Sequence, residues 1–136
     1  MSLSQEDRQQ MIKLHLEKAR MFLSEADEYF LLARYSTSAN RFYYACFHAI
    51  HALFAQDSFY PKSHEGMNTL FGLHYIKTNL FDTKYGAFVT RLEDLRKKAD
   101  YNVVFEVSKT DLEDMQPLAH ELVCEIEKFL SSSTPF

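Results

Sequence analysis

Glycine, proline, tryptophan and cysteine are all scarce in this chain. Its 136 residues include three glycines, three prolines, two cysteines and no tryptophan. So few turn-forming residues leave little room for the many tight turns of a β-sheet protein, and they favour a few long helices. Cys46 and Cys124 have neither a CxxC motif nor a spacing typical of metal ligands, so we interpret them as small buried apolar residues. Cysteines used in this way indicate a reducing compartment and predict a cytoplasmic protein.

Long apolar runs and an excess of positive charge are also missing. The sequence has no run of about 18 apolar residues, no basic-then-apolar start and no lipidation motif, so neither membrane insertion nor secretion is predicted. The net charge is -4 at pH 7, which gives no general attraction to nucleic acid or to an anionic membrane. Any contact with an anionic ligand therefore has to come from a local basic cluster.

Apolar residues, by contrast, are abundant. They make up 46% of the chain and include twelve phenylalanines and eight tyrosines, which is enough to form the core of one domain of this size. Apolar positions recur every three or four residues, as they do on the buried face of a helix. The sequence therefore predicts an all-α fold in a single domain spanning residues 1–136, with a frayed tail at 131–136.

Capping signals divide the chain into five predicted helices. Ser4, Ser63 and either Asp82 or Thr83 are candidate N-caps, and Pro61 prevents the second helix from continuing. The short polar connection at 35–38 carries the N-cap of the second helix. In the last helix, Ser108 or Thr110 is the cap, Thr110 and Glu113 form a capping box, and Pro117 either kinks the helix or follows a later start. The predicted ranges are 4–34, 38–56, 67–79, 82–101 and 108–130.

The second predicted helix carries a line of polar side chains. Its apolar residues cover an arc of roughly 220°, which places this helix in the middle of a bundle. The remaining arc holds Arg41, Tyr44, His48 and His51, all within roughly 80° of one another.

Three interpretations of this line stay open. It could be a wet helix edge, where rings are buried and their polar tips reach water. It could be an anion-binding groove, where arginine binds phosphate while histidine and tyrosine donate hydrogen bonds or stack on a base. His48-x-x-His51 could also start a metal site, but one helical turn supplies two ligands and no His-Glu-x-x-His motif adds a third. We predict neither a metal nor a cofactor.

Two other segments could contribute positive charge or hydrogen bonds. Lys62 and His64 lie at the start of the third helix, where free backbone N–H groups and the helix dipole favour phosphate; a solvated loop is the alternative. Arg96-Lys97-Lys98 is the densest basic cluster and lies near the end of the fourth helix. The helix dipole explains cations at this position, but it does not explain why Asp100 and Tyr101 follow them.

Three separated motifs together resemble the HEPN domain family. In chain order they are Asn40-Arg41-x-Tyr43-Tyr44-Ala45-x-Phe47-His48-Ala49, Pro61-Lys62-Ser63-His64-Glu65-Gly66 and Arg96-x-x-Ala99-Asp100-Tyr101. The resemblance is closest to the small, free-standing bacterial and archaeal members and spans nearly the whole chain. It implies an antiparallel bundle of four long helices plus one shorter helix, commonly a homodimer, with a polar groove. Such members are often encoded beside a minimal nucleotidyltransferase as a toxin–antitoxin pair, and many of the toxins are metal-independent ribonucleases.

The chain departs from the ribonuclease members at one position. Those members usually carry Arg-Asn-x-x-Ala-His, whereas here Asp100 follows Ala99. An unperturbed aspartate titrates near 3.9, against about 6.5 for histidine, so near pH 7 it has no proton to give as a general acid, and it repels RNA phosphate. Arg41 and His48 have six residues between them, which satisfies the family's Arg-to-His count, although on a different helix.

Three hypotheses about function follow from the residues and the resemblance. The first is a nucleotide- or RNA-binding module, paired with a nucleotidyltransferase and lacking the usual catalytic histidine. The second is a metal-independent ribonuclease toxin that uses Arg41 and His48. The third is a dimeric interaction bundle in which the polar line contacts a second copy or a partner. The candidate ligand-binding residues are Arg41, Tyr44, His48, Lys62, His64, Arg96, Asp100 and Tyr101.

Tyr101 is also a candidate for covalent modification. The resemblance suggests this role, because the nucleotidyltransferase partners of some family members modify a tyrosine just after the Ala-His motif.

Overall fold

Helices account for nearly all the regular structure in this chain. The computed structural model describes residues 4–133, and no β-strand occurs among them. Helices α1, α2, α4 and α6 are long, α3 is short, and α5 is little more than one turn, so the predicted all-α bundle is confirmed. The helices are α1 Gln5–Leu31, α2 Tyr35–Asp57, α3 His64–Phe71, α4 Thr83–Tyr101, α5 Lys109–Glu113 and α6 Met115–Ser133, and a π-helical segment, Gly72–Ile76, continues α3.

The predicted caps of α1, α3 and α4 are confirmed. Ser4 Oγ accepts a hydrogen bond from the Asp7 backbone N–H at 3.1 Å, and Ser63 Oγ accepts one from Gly66 at 2.9 Å. Asp82 caps α4 by accepting from the Lys84 N–H at 2.9 Å. Each side chain satisfies a backbone donor that has no partner inside its helix.

The connection between α1 and α2 differs from the prediction. It occupies residues 32–34 instead of 35–38, and Ala33 takes a left-handed conformation with φ of 60°. Ser38, predicted near the cap of α2, lies inside the helix instead, where its buried hydroxyl donates to the Ala26 carbonyl at 2.8 Å. No glycine marks the turn, so its position has no local signal in the sequence.

The last two helices also correct details of the prediction. The capping box consists of Ser108 and Asp111, not Thr110 and Glu113. The helix is interrupted between α5 and α6, and Pro117 lies in the first turn of α6. A proline is tolerated there because the backbone N–H that it lacks would have no partner inside the helix. The part of the predicted tail that the structure describes, up to Ser133, is helical, while residues 134–136 lie outside the described residues.

The centre of the bundle is α2. Its side chains Phe42, Ala49, Ile50 and Leu53 are completely buried, as its apolar arc predicts. The short link makes α1 its antiparallel neighbour, and the small, fully buried Ala26 of α1 lets the two helices approach closely. Within residues 4–133, no helix combines the length and the apolarity that crossing a bilayer would require.

We expect the close approach of α1 and α2 to tolerate no larger side chain at Ala26. An Ala26→Leu substitution should lower the free energy of unfolding by about 1–3 kcal/mol, because the extra methyl groups overpack a filled core. Ala87→Leu is the matched control, since Ala87 is exposed on α4. Urea denaturation followed by far-ultraviolet circular dichroism measures both changes, and equal stability of the two variants would contradict the close packing.

Candidate anion-binding site

Arg96 lies at the centre of a polar cluster where α2, α3 and α4 meet. Only 5% of the residue is exposed. The carbon of its guanidinium group lies 4.8 Å from the centroid of the Tyr43 ring and 5.9 Å from that of Tyr44. A cation held over two aromatic faces is stabilised by their negative potential and is fixed in orientation. We call the surrounding group the Arg96 cluster; it comprises Tyr43, Tyr44, His64, Asn68, Glu93, Arg96, Lys97 and Asp100.

Helix α4 supplies four charges to this cluster from one face. Glu93, Arg96, Lys97 and Asp100 are three or four residues apart, a spacing that places them side by side on a helix. The Arg96 guanidinium donates to Asp100 Oδ2 at 3.1 Å, and Lys97 Nζ lies 3.2 Å from Glu93 Oε1. Two cations therefore face two carboxylates, and the formal charges of the cluster cancel.

Helix α3 presents His64 and Asn68 to these charges. His64 is the first residue of α3, and its Nδ1 lies 2.5 Å from the Tyr43 hydroxyl. The side-chain amide of Asn68 donates to the buried carboxylate of Glu93. Because Ser63 fixes the start of α3, the local capping signal also determines where His64 is presented to the cluster.

The protonation states in the cluster follow from burial. Burial lowers the pKa of His64 from its ordinary value, and the positive charge of Arg96 lowers it further, so the imidazole is neutral at pH 7. Burial raises the pKa of Tyr43, which keeps the phenol protonated. In the tautomer in which the Tyr43 hydroxyl donates to Nδ1, the imidazole proton lies on Nε2 and can be donated to a ligand.

Arg96 stays charged in spite of its burial. Burial lowers its pKa, but Tyr44, Tyr43, Tyr101 and Asp100 raise it by more. Its Nε and the Oδ1 of Asn68 are buried without a hydrogen-bond partner among the described residues. Of these two atoms only Arg96 Nε is a donor, and it lies with an imidazole and two phenol rings around a cation, a set of groups suited to an oxyanion with an attached ring.

Arg41 lies in a different environment from Arg96. Its Nε donates to Glu25 of α1 at 2.9 Å, and its NH1 donates to Asn40 at 2.7 Å. None of the hydrogen bonds, ion pairs and ring contacts found among residues 4–133 joins Arg41 to Arg96. The structure therefore places the positive end of the predicted polar line against α1.

The two histidines of the line pack with a third histidine from α1. His15 Nδ1 lies 3.1 Å from His48 Nδ1, and the ring centroids of His15 and His51 are 5.7 Å apart. Burial lowers the pKa of both His48 and His51 to about 4, and nearby His15 adds to the shift. Among residues 4–133, no three histidine, cysteine, aspartate or glutamate side chains are arranged to hold a metal ion.

The other predicted residues are divided between the Arg96 cluster and its edges. Tyr44 and His64 belong to the cluster, and their ring centroids are 6.4 Å apart. Lys62 is exposed just before the cap of α3. Tyr101 ends α4 and is 78% exposed. The structure therefore brings together four of the predicted residues, Tyr44, His64, Arg96 and Asp100, and places Arg41 and His48 with α1.

Sequence reasoning missed Tyr43, Asn68 and Glu93. Tyr43 is completely enclosed and was not part of the polar line, although it stands beside Tyr44 in the first motif. Glu93 shares the helical spacing of Arg96 and Asp100, and this spacing could have identified it. Asn68 carries no such signal, because only the packing of α3 against α4 brings it to Glu93.

Comparison with known proteins extends over most of the chain. A model of the HEPN domain matches residues 12–129. A Methanocaldococcus jannaschii protein named as a putative toxin is 27% identical over 117 residues, covering 86% of this chain and 80% of the relative. A second protein of that organism with the same description is 34% identical over 100 residues, covering 74% and 75%. A Thermotoga maritima protein named UPF0332 protein is 26% identical over 124 residues, covering 91% and 94%.

We expect the three packed histidines to make the fold sensitive to acid. The folded-state pKa values of His48 and His51, about 4, lie below the ordinary value of 6.5. The unfolded chain therefore binds more protons between these values, so this stabilisation is complete above about pH 6.5 and is lost as the pH falls towards 4. Urea denaturation at several pH values should show a smaller difference in stability between neutral and acid pH for His48→Gln than for the parent. Parallel pH profiles of parent and variant would contradict this assignment.

Proposed function

The chain belongs to the HEPN domain family, and on this premise we propose that it is the nucleotide- or RNA-binding member of a toxin–antitoxin pair. The Arg96 cluster is its phosphate site. The observation that carries the proposal is the buried Arg96, which remains charged between two tyrosine rings while its Nε has no hydrogen-bond partner among the described residues. The names of the two Methanocaldococcus jannaschii relatives support the toxin–antitoxin context.

The groups around Arg96 suit a nucleotide better than a simple inorganic anion. The guanidinium provides planar donors for phosphate oxygens, and the Nε2–H of His64 adds a neutral donor beside it. Tyr44 is half-buried next to both, and its ring is the aromatic group on which a base would stack. A phosphate with an attached base would therefore use the charge and the ring together.

Cleavage of RNA by this cluster has little support from its chemistry. A general acid needs a proton near pH 7, but Asp100 accepts a hydrogen bond from Arg96, and His64 is neutral with Nδ1 bound to Tyr43. Arg41 and His48, the alternative catalytic pair, have Glu25 and His15 as their partners. Binding without cleavage is the function we propose, and it would operate in a cytoplasmic homodimer.

A nucleotidyltransferase is the protein partner that we propose. Tyr101, at the end of α4, and Val103 and Val104, in the following loop, are all largely exposed. These apolar side chains beside the Arg96 cluster favour a docking protein at this end of α4. Such an enzyme would join the Tyr101 oxygen to the α-phosphorus of a nucleoside triphosphate, and the phenol proton and pyrophosphate would leave.

Removing the charge of Arg96 should weaken nucleotide binding. We expect Arg96→Gln to weaken the binding of a fluorescent adenosine monophosphate at least about tenfold, because a charge-assisted hydrogen bond is worth roughly 1.5–3 kcal/mol. Fluorescence anisotropy at several salt concentrations measures this loss, and the parent should bind more weakly as the salt concentration rises. Arg91→Gln is the matched control, since Arg91 is exposed on the same helix.

Two outcomes would contradict the binding proposal. Equal affinity of the parent and Arg96→Gln, with both shown by circular dichroism to be folded, would exclude the Arg96 cluster as the site. Cleavage of RNA in the presence of EDTA that disappears in His48→Ala would support the ribonuclease alternative. Intact RNA after incubation with the parent protein agrees with binding alone.

Co-expression with a minimal nucleotidyltransferase from the same genome should modify Tyr101. Intact-protein mass spectrometry should show the added mass of a nucleoside monophosphate on the parent and none on Tyr101→Phe. Tyr60, half of which is exposed, serves as the internal comparison and should stay unmodified. An unmodified Tyr101, or equal labelling of Tyr60, would exclude the specific modification.

A further inference from the structure

In this structure Arg96 is already bound to an anion of its own chain. The guanidinium donates to Asp100 Oδ2 at 3.1 Å, and the side chains of the two residues are 6% and 34% exposed. Lys97 is likewise paired with Glu93. The Arg96 cluster therefore offers no net positive charge to an incoming anion, although it contains a buried guanidinium.

The two carboxylates of the cluster are held very differently. Glu93 is buried, contacts Lys97 and accepts a hydrogen bond from Asn68. Asp100 is more exposed, and within residues 4–133 the Arg96 guanidinium is its one hydrogen-bond donor. It also lies in the last turn of α4, where the helix dipole disfavours a carboxylate. Asp100 is thus the carboxylate that an external anion can displace at the lower cost.

We infer that Asp100 is an internal counter-ion that holds the Arg96 site closed until a phosphate replaces it. The inference rests on the proposed function, because it assumes that Arg96 is the phosphate-binding group. In the unliganded protein a carboxylate oxygen takes the place of a phosphate oxygen on the guanidinium. Rotation of the Asp100 side chain into solvent at the end of α4 would open that place to a ligand.

The exchange selects a class of ligand by its charge. An internal phosphodiester carries one negative charge, so its exchange for Asp100 replaces one monoanion with another and gains little. A terminal phosphomonoester carries a charge of about -1.5 to -2 at pH 7 and gains more from the same guanidinium. The site therefore prefers a nucleoside monophosphate or the terminal phosphate of an RNA strand to an internal phosphodiester.

Isothermal titration calorimetry with two matched probes tests this assignment. The probes are adenosine 5′-monophosphate and its methyl phosphodiester, measured at one ionic strength against the parent, Asp100→Asn and Asp94→Asn. The parent should bind the monoester at least about tenfold more tightly than the diester. Asp100→Asn should bind both probes about fivefold to tenfold more tightly than the parent. Asp94→Asn, which removes the same charge from an exposed position on α4, should match the parent.

Each contrary result has a separate meaning. Asp100→Asn binding no more tightly than the parent, or the parent binding both probes equally, would overturn the counter-ion inference. If Arg96→Gln still weakened binding in that case, the proposed function would stand. If parent, Asp100→Asn and Arg96→Gln all failed to bind either probe, the proposed phosphate site would fall together with the inference.

Discussion

The stacking of the Arg96 guanidinium on Tyr43 joins α4 to α2, and the candidate site is built around this contact. A buried cation is costly unless aromatic faces and carboxylates surround it, and here α2 supplies the rings while α4 supplies Asp100. Tyr43 also binds His64, so the same phenol connects α4 to the start of α3. The charge on Arg96 is therefore part of the packing as well as of the site.

The polar line of α2 serves two structural purposes that a helical wheel does not separate. Tyr44 contacts both the Arg96 guanidinium and Phe22 of α1, whereas His48 packs against His15 and Phe22 of α1 alone among these groups. Arg41 also belongs to the α1 side, through its ion pair with Glu25. Because α1 covers one edge of this line, side chains within one narrow arc of a helix meet two different neighbours.

The sequence predicted the fold well where the signals were local. The caps at Ser4, Ser63 and Asp82 and the buried arc of α2 depend on residues a few positions apart. The left-handed conformation of Ala33 could not be predicted, because glycine, and not alanine, is the residue typical of that conformation. Part of the candidate site was equally hidden, because Asn68 and Glu93 meet only through the packing of α3 on α4.

The balance of charge around Arg96 explains how a chain with a net charge of -4 can be suited to an anionic ligand. A broadly basic surface would attract any nucleic acid, and its affinity would depend on the number of phosphates. A single buried guanidinium, already matched by Asp100 and oriented by Tyr43, attracts little at long range. Selectivity then arises at contact, where a ligand has to replace a carboxylate and fit between aromatic rings. This limits the site to one phosphate group and makes the charge of that group the deciding property.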